Sequence, residues 1–372
     1  MLILHLTLVA ARQMSGIEPI APYLQAGTSR SMAVLWRSSK AALGRVEMTP
    51  LTATSREGPA EVWSAREPGV GVLHQLHVEG LQPATLYRYR CYDGDTPAGE
   101  GVFKTLPERS DASFRFAVLG DSGSGNANQM AVASALERWN PDFVLHTGDV
   151  IYERGESQNY IPRFVQPYRA IINRAVVYPT IGNHDHRTES AAPYLRFFEV
   201  PRETPTQTER WYSFRAGAIE FYALDTNIAF GRGSEQFRWL EAALARSDAP
   251  LRVAFFHHPP YSGGSHGSSL YVRRALGPLF ERWDVRVVFS GHDHHYERSL
   301  PREDFHEDGR PSTYFVTGGG GAWLRPVKRE AFSATARSAY HFLGVTVQKG
   351  REFRVRAIDP LGDIFDAWDL KI

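Results

Sequence analysis

Five short segments of the sequence combine glycine or proline with side chains that bind metal ions. The segments are Gly120-Asp121-Ser122-Gly123, Gly148-Asp149-Val150-Ile151-Tyr152, Gly182-Asn183-His184-Asp185, His257-His258-Pro259 and Gly291-His292-Asp293-His294. Their carboxylate, imidazole, amide and phenol groups supply enough donors for two metal ions that lean towards octahedral geometry, and one carboxylate can bridge the two ions. Two metal ions about 3.5–4 Å apart clamp a phosphate ester and lower the pKa of a bridging water. The set therefore predicts phosphate-ester hydrolysis.

Each segment follows an apolar run with the length and composition of a strand. Predicted strands cover residues 114–119, 143–147, 175–178, 219–224, 252–256, 285–290 and 314–317, and predicted helices cover residues 129–139 and 235–246, the second capped by Ser234. This alternation is typical of an α/β layered fold with parallel pairing. Ligand sites in such sheets lie beyond the carboxyl ends of the strands, so the five distant segments are expected to converge. One Gly-Asp or Gly-Asn pair alone would indicate no more than a turn.

Two of the segments carry a more specific signature. The first contains Asp121-Ser122-Gly123, an Asp-x-Gly motif, and the second contains Gly148-Asp149-x-x-Tyr152. The sequence resembles the metallophosphoesterases and, within them, the purple acid phosphatases, in which a histidine of the first motif is lost and a tyrosinate is gained. Gly123 and Tyr152 show both parts of that exchange. Because a phenolate with a reference pKa of about 10 is a good ligand only for a strongly acidic, hard ion, Tyr152 argues for ferric iron.

The resemblance implies a role for each residue of the set. The ferric site would use Asp121, Asp149, Tyr152 and His294, and the divalent site, which would hold Fe, Zn or Mn, would use Asp149, Asn183, His257 and His292. Asp149 would bridge the two ions. His257 matches the family pattern because a proline follows two residues later, and the adjacent His258 stays open as a rival ligand. His184 follows the ligand Asn183, and His266 lies nine residues after His257, a spacing that resembles that of a substrate-binding histidine in the family. Both are candidates for holding the phosphate and protonating the leaving group.

The resemblance further implies an enzyme, a metal-dependent acid phosphatase that hydrolyses small phosphate monoesters and releases inorganic phosphate. A hydroxide bridging the two metals would be the nucleophile, so the nucleophile is not a side chain. Two alternatives stay open. A phosphodiesterase or a nucleotide or pyrophosphate hydrolase would use the same metals, because the surrounding loops set the leaving group. An adhesion or carbohydrate-binding module that retains a redundant metal site is the alternative from another class.

The region before the metal-binding segments has a different pattern. From residue 17 to about residue 105, short alternating runs such as residues 32–36 and 86–90 are separated by Gly, Pro and Asp turns, as in a β-sandwich. The stretch from His77 through Leu81 and Pro83 to Tyr89 resembles a fibronectin type III domain. We therefore expect an all-β fibronectin type III-like domain over residues 17–107 and a four-layer α/β (α+β) metallophosphoesterase sandwich over residues 108–372. A length of 372 residues fits two domains.

Charge, cysteine content and the amino-terminal segment exclude some classes of protein. The formal net charge is +1 with both signs mixed along the chain, so no basic stripe for nucleic acid or anionic membranes is evident. Cys91 is the only cysteine, which excludes an intramolecular disulfide. Residues 1–16 form a possible signal or leader, although the apolar run 2–11 is too short to span a membrane and no positive residue precedes it. We expect secretion or a periplasmic location if residues 1–12 are a signal peptide, and a cytoplasmic location otherwise.

Overall fold

The computed structural model describes residues 18–51, 62–202, 208–305 and 310–372. The strands are β1 Ile20–Gln25, β2 Ser31–Pro50, β3 Trp63–Glu79, β4 Leu86–Asp93, β5 Thr96–Lys104, β6 Phe114–Leu119, β7 Phe143–His146, β8 Val176–Pro179, β9 Tyr212–Ala216, β10 Ile219–Ala223, β11 Leu251–Phe255, β12 Val285–Ser290, β13 Tyr296–Ser299, β14 Thr313–Thr317, β15 Ser333–Arg337, β16 Phe342–Gln348, β17 Glu352–Ile358 and β18 Ile364–Lys371. The helices are α1 Ala127–Trp139, α2 Gln166–Ile172, α3 Asn183–His186, α4 Ala192–Phe197, α5 Glu235–Arg246 and α6 Leu270–Arg282, with short 3-10 or π turns at Ser157–Asn159, Ile161–Val165 and Glu189–Ala191. The predicted leader, residues 1–16, lies outside the described residues.

The first five strands form one antiparallel sheet. β1 pairs with the first half of β2, β4 pairs with its second half, and β3 runs along both halves. Alternate side chains of these strands are buried, among them Trp36, Val46 and Tyr89. The hydroxyl oxygen of Tyr87 accepts a hydrogen bond from Gln82 N–H at 2.8 Å. Because sandwich domains of the immunoglobulin and fibronectin type use such a tyrosine corner, this sheet confirms the predicted all-β fold of the region.

Two further sheets carry the metal-binding segments. The six-stranded sheet has the order β18-β17-β16-β6-β7-β8, and the seven-stranded sheet has the order β15-β13-β14-β12-β11-β10-β9. Strands β6, β7 and β8 are parallel, and so are β10, β11, β12 and β14. Since parallel strands end at one edge of a sheet, the segments that follow them share that edge.

The two sheets face each other, and each carries helices on its outer face. Phe116 and Phe143 of the six-stranded sheet meet Phe221 of the other sheet edge-on, with ring centroids 5.3 and 5.7 Å apart. Helices α1 and α2 bury apolar side chains such as Leu136 and Ile171 against the six-stranded sheet. Helices α5 and α6 bury theirs against the seven-stranded sheet. This helix–sheet–sheet–helix order is the predicted four-layer sandwich.

Side-chain caps fix where two helices begin. Asn126 Oδ1 accepts from Gln129 N–H at 2.9 Å, so α1 begins two residues before the predicted start. Ser234 Oγ accepts from Phe237 N–H at 3.1 Å, and α5 begins where predicted. Helices α2, α3, α4 and α6 are absent from the prediction; α2, α3 and α4 are short, and α6 contains Pro278, which interrupts its helical pattern. None of the described helices is both long and apolar enough to cross a membrane.

The amino-terminal sheet packs directly against the two-sheet sandwich. One buried apolar cluster includes side chains of both parts. Tyr178 Oη donates to Gly27 O at 2.7 Å, and His77 Nε2 lies 2.9 Å from Glu199 Oε1. The two parts therefore share a core and are joined by hydrogen bonds as well.

Candidate metal centre

All the predicted metal ligands lie together at the carboxyl edges of the two sheets. They follow β6, β7, β8, β11 and β12, and are Asp121, Asp149, Tyr152, Asn183, His257, His292 and His294. Asp121, Asp149 and His292 have left-handed backbone conformations, with φ of 58°, 53° and 70°. This conformation costs a non-glycine residue on the order of 1–3 kcal/mol and persists where the surrounding structure positions a functional group. The turns after the strands thus aim these side chains at one place.

Three of the ligands surround the phenol oxygen of a fourth, Tyr152. Tyr152 Oη lies 3.0 Å from Asp121 Oδ1, 3.0 Å from Asp149 Oδ2 and 2.9 Å from His294 Nε2. Each of the four residues is at most 4% exposed. We call Asp121, Asp149, Tyr152 and His294 the tyrosine half of the centre.

The other ligands surround the amide oxygen of Asn183. Asn183 Oδ1 lies 3.0 Å from His257 Nε2 and 2.8 Å from His292 Nδ1. His257 Nε2 also lies 3.4 Å from Asp149 Oδ2, so Asp149 faces both groups. We call Asp149, Asn183, His257 and His292 the amide half, and Asp149 is the one residue that belongs to both halves.

Backbone carbonyls orient two of the ligand imidazoles. His257 Nδ1–H donates to Thr147 O at 2.9 Å, and His294 Nδ1–H donates to Trp323 O at 2.6 Å. Each bond leaves Nε2 facing the cluster with a lone pair for a metal ion, which is how ligand histidines are ordinarily held. His292 faces the cluster with Nδ1 instead, and its backbone N–H donates to Asp121 Oδ2 at 2.9 Å.

The electrostatics of the cluster favour a bound cation. Burial, with Asp121 and Asp149, raises the pKa of Tyr152 far above its ordinary value, so the phenol ionises only when a cation replaces its proton. Burial alone would lower the pKa of His257, but Asp149, Asp121 and the Thr147 carbonyl together outweigh burial and raise this pKa to about 9. Ligand atoms of Asp121 from the tyrosine half, His257 from the amide half and the shared Asp149 lie within 4.8 Å of one another, so the two halves adjoin at Asp149. A hard ion fits the oxygen-rich tyrosine half, and a divalent ion fits the mixed donors of the amide half.

Gly123 explains how the tyrosine reaches the centre. A Cβ atom at Gly123 would lie 1.8 Å from Val150 O and 2.8 Å from Ile151 Cα, so no side chain fits at this position. Tyr152 N–H donates to Gly123 O at 3.0 Å. The absence of a histidine in the first motif and the presence of the tyrosine in the second are therefore linked by the close approach of the two segments.

Asp185 joins the two halves, a role that the sequence did not indicate. Its carboxylate is fully buried and accepts from the N–H groups of Val150, Ile151 and Gly182, each at 3.0 Å. These bonds tie the segment after β7 to the segment after β8. The only sequence signal for the role was the position of Asp185 two residues after Asn183.

The two predicted catalytic histidines flank the centre from different elements, His184 in the short helix α3 and His266 in the loop before α6. His184 Nδ1–H donates to Glu153 O at 2.6 Å, which leaves Nε2 4.0 Å from Asp149 Oδ2. The ring of His266 is exposed and stacks on the ring of His292, with centroids 4.3 Å apart and 30° between the planes. Both imidazoles thus lie within reach of a group bound to the metals.

The rival ligand His258 lies beside the amide half. Its Nδ1 is 2.8 Å from Thr226 Oγ1, and its ring centroid is 4.6 Å from that of His292. Ligand atoms of His257, His258 and His292 lie within 4.8 Å of one another. The geometry favours His257 as the ligand, because His257 Nε2 lies against both Asp149 and Asn183.

Comparison with known families matches both parts of the chain. The calcineurin-like phosphoesterase family matches residues 114–296, and the N-terminal domain of purple acid phosphatases matches residues 18–105. The chain belongs to the purple acid phosphatase family. The first match covers the strands and turns that carry the metal ligands up to His294, and the second covers the amino-terminal sheet.

Two plant relatives illustrate the extent of the similarity. Purple acid phosphatase 15 of Arabidopsis thaliana is 31% identical over 287 residues, which are 68% of this chain and 54% of that protein. Purple acid phosphatase 23 of the same plant is 27% identical over 376 residues, with 83% of this chain and 81% of that protein covered. The chain thus spans about half the length of the first relative.

A solved structure shows the same fold. Purple acid phosphatase PPD1 from yellow lupin (Lupinus luteus) seeds superposes with a TM-score of 0.80 at 21% identity, covering 95% of this chain and 74% of that chain. The all-β sheet followed by the four-layer sandwich is therefore the architecture of this family.

Proposed function

We propose that this chain hydrolyses small phosphate monoesters at a dinuclear centre of ferric iron and a divalent ion, which would be iron, zinc or manganese. The observation that supports the proposal most strongly is the position of Tyr152 Oη, within 3.0 Å of donor atoms from Asp121, Asp149 and His294. A phenol among carboxylates in a buried site favours a hard, highly charged ion that can take its proton's place.

The two halves divide the ligands between the ions. Asp121, Tyr152 and His294 would hold the ferric ion, Asn183, His257 and His292 would hold the divalent ion, and Asp149 would contact both. Bound there, the ions would supply positive charge to the phosphoryl oxygens and a water of strongly lowered pKa. Asp185 would hold the segments that carry Asp149 and Asn183 in fixed positions relative to each other, so that both residues can contact the ions.

The two flanking histidines serve the phosphate and the leaving group. His184 Nε2 points at the centre because Nδ1 is held by the Glu153 carbonyl, so the ring in its imidazolium form can donate from Nε2 to a phosphoryl oxygen. His266 lies over His292 on the exposed side, where the leaving group would depart, and can protonate the ester oxygen. Leaving-group protonation of this kind contributes roughly 10²–10⁴-fold to the rate.

The open side of the centre supports small monoesters as substrates, with inorganic phosphate as product. Asn183 and His292 are partly exposed and His266 is exposed, so the leaving group can extend towards solvent. Such an opening would accept many different alcohol groups, so the enzyme would select its substrates mainly by the phosphoryl group.

Substrate panels test the proposal directly. We would measure kcat/KM of the metal-loaded protein for p-nitrophenyl phosphate, bis(p-nitrophenyl) phosphate, ATP and pyrophosphate, and expect the highest value for the monoester. Asn183→Ala should lower kcat by about 10³-fold. The matched control Asn128→Ala removes an exposed amide on α1 that bonds Tyr340 Oη, and should leave kcat/KM unchanged. Wild-type activity in Asn183→Ala, or no phosphoester hydrolysis by the metal-loaded wild type, would contradict the proposal. A higher kcat/KM for the diester or for pyrophosphate would show that this compound, and not the monoester, is the preferred substrate.

A further inference from the structure

Asp293 lies between two metal ligands but its carboxylate serves another loop. The residue is fully buried, at 0% exposure, between His292 and His294 in the chain. Its Oδ1 accepts from the backbone N–H of His266 at 3.0 Å, and its Oδ2 accepts from the hydroxyl of Ser262. An ionised carboxylate accepts hydrogen bonds only, so these two donors match it.

The loop from Ser262 to His266 is also held by a second carboxylate, that of Glu297 in the next strand, β13. Gly263 N–H donates to Glu297 Oε2 at 2.7 Å, and Gly264 N–H donates to Ser262 Oγ at 3.0 Å. Glu297 is 2% exposed, so both acidic anchors are buried. The backbone of this loop is therefore fixed to the segment that carries His292 and His294.

Close packing strengthens the connection. A Cβ atom at Gly264 would lie 2.6 Å from Asp293 Cγ and 2.5 Å from His295 Cε1, so the loop backbone rests directly on the segment after β12. Among the described residues, the hydrogen bonds of His266 run through its backbone N–H, while its ring stacks on His292. The place of the ring over the centre thus depends on where Asp293 holds the backbone.

We infer that Asp293 is a positioning residue that sets His266 over the metal centre for protonation of the leaving group. The inference rests on the phosphoesterase function proposed above. Because Asp293 is adjacent to both ligand histidines, one carboxylate fixes the proton donor relative to both halves of the centre. A misplacement of about 1 Å in such a group can cost roughly 10²-fold in rate.

Esters with different leaving groups distinguish a positioning role of Asp293 from a merely structural one. Only a positioning role makes the loss in kcat depend on the leaving group. Departure of p-nitrophenol needs little protonation, whereas departure of phenol and then of an alkyl alcohol needs progressively more. In Asp293→Ala we expect a loss in kcat below about tenfold on p-nitrophenyl phosphate, rising to about 10²-fold or more on an alkyl phosphate. His266→Ala should show the same trend, and the double variant should lose no more than His266→Ala alone.

Conservative and matched variants complete the test. Asp293→Asn can still accept from His266 N–H through Oδ1 and donate to Ser262 Oγ, so it should stay within a few-fold of the wild type on every substrate. Asp366→Asn removes another partly buried carboxylate, the partner of Arg298, and should lower the melting temperature without changing the leaving-group trend. If Asp293→Ala does not fold, Ser262→Ala should show a weaker form of the same trend.

The outcomes separate this inference from the proposed function. A wild type with no activity on any ester contradicts the proposed function, and the inference fails with it. An active wild type whose Asp293→Ala and Ser262→Ala variants lose equally on all leaving groups, or lose metal in proportion to activity, overturns the inference alone. Retained metal content with a loss that grows with leaving-group basicity supports it.

Discussion

The two halves of the metal centre differ in their access to solvent. In the tyrosine half, Asp121, Tyr152 and His294 are 0%, 2% and 4% exposed. In the amide half, Asn183 and His292 are partly exposed. His258 and His266 also gather around this more open side, against the ring of His292. The comparison supports the proposal that the tyrosine half retains an ion and that substrate approaches from the amide half.

The halves differ in their donors as well. The tyrosine half is rich in oxygen and holds a phenol whose pKa is raised by burial and two carboxylates. The amide half contains two imidazoles, and burial with neighbouring histidines lowers the pKa of His292. Water exclusion strengthens electrostatic attraction, so the buried half should bind its ion more tightly than the open half.

The largest effect is expected from the residue that both halves share. Asp149→Ala should remove metal from both halves and lower kcat/KM by about 10⁴-fold or more, since charge stabilisation by metals is worth several kcal/mol. Metal content by elemental analysis, with kcat/KM on p-nitrophenyl phosphate, checks this. Retention of a full complement of both metals would show that Asp149 does not join the halves.

A change confined to the open half should separate the two ions. Asn183→Ala removes the amide oxygen that lies within 3.0 Å of His257 and His292. We expect selective loss of the divalent ion, retention of the ion in the tyrosine half, and a fall in kcat of about 10³-fold. Elemental analysis after dialysis checks the metals. Equal loss of both ions would remove the distinction between the halves.

A smaller effect is expected from the residue that ties the halves together. Asp185→Asn can no longer accept from all three N–H groups of Val150, Ile151 and Gly182. We expect metal affinity in both halves to fall roughly 10–100-fold with the fold retained, as for other residues that orient ligands. Competition with a chelator measures this. A drop in one half alone would mean that Asp185 positions only one segment.

The smallest effect should arise away from the centre, where the two parts of the chain meet. The hydrogen bond with Glu199 raises the pKa of His77 above its ordinary value. The stabilisation is therefore fully present below the unfolded pKa, about 6.5, and is lost as pH rises through the raised folded value. Because His77 is about half exposed, His77→Gln should cost below about 1 kcal/mol at pH 5.5 and less at pH 8.5, with metal content unchanged. Thermal melts at both pH values check the trend, and a cost that grows with pH would contradict it.

The sequence predicted which side chains could bind metals more fully than it predicted what holds them. Strand ends and residue types were enough to bring Asp121, Asn183 and His294 into one expected site. The carbonyls of Thr147 and Trp323 were invisible to this reasoning, because every residue type carries a backbone carbonyl. These supports depend on the path of the backbone rather than on residue identity.

Longer-range contacts escaped prediction for a related reason. The bond between Asp293 and Ser262 joins positions 31 residues apart, and its partners carry no metal-ligand signature. The strands predicted in the two-sheet sandwich, β6, β7, β8, β10, β11, β12 and β14, were placed to within one residue, because apolar runs mark strands buried on both faces. Strands β9, β13 and β15 to β18 were not predicted. Helix α6 was missed because Pro278 breaks the pattern that identifies helices.

Metal content together with a visible absorption spectrum tests the assignment of the tyrosine half most directly. We predict one iron and one divalent ion per chain, a visible charge-transfer band from tyrosinate to ferric iron in the wild type, and loss of that band in Tyr152→Phe with the fold retained. A colourless, iron-free wild type with full phosphatase activity would contradict a ferric tyrosine half.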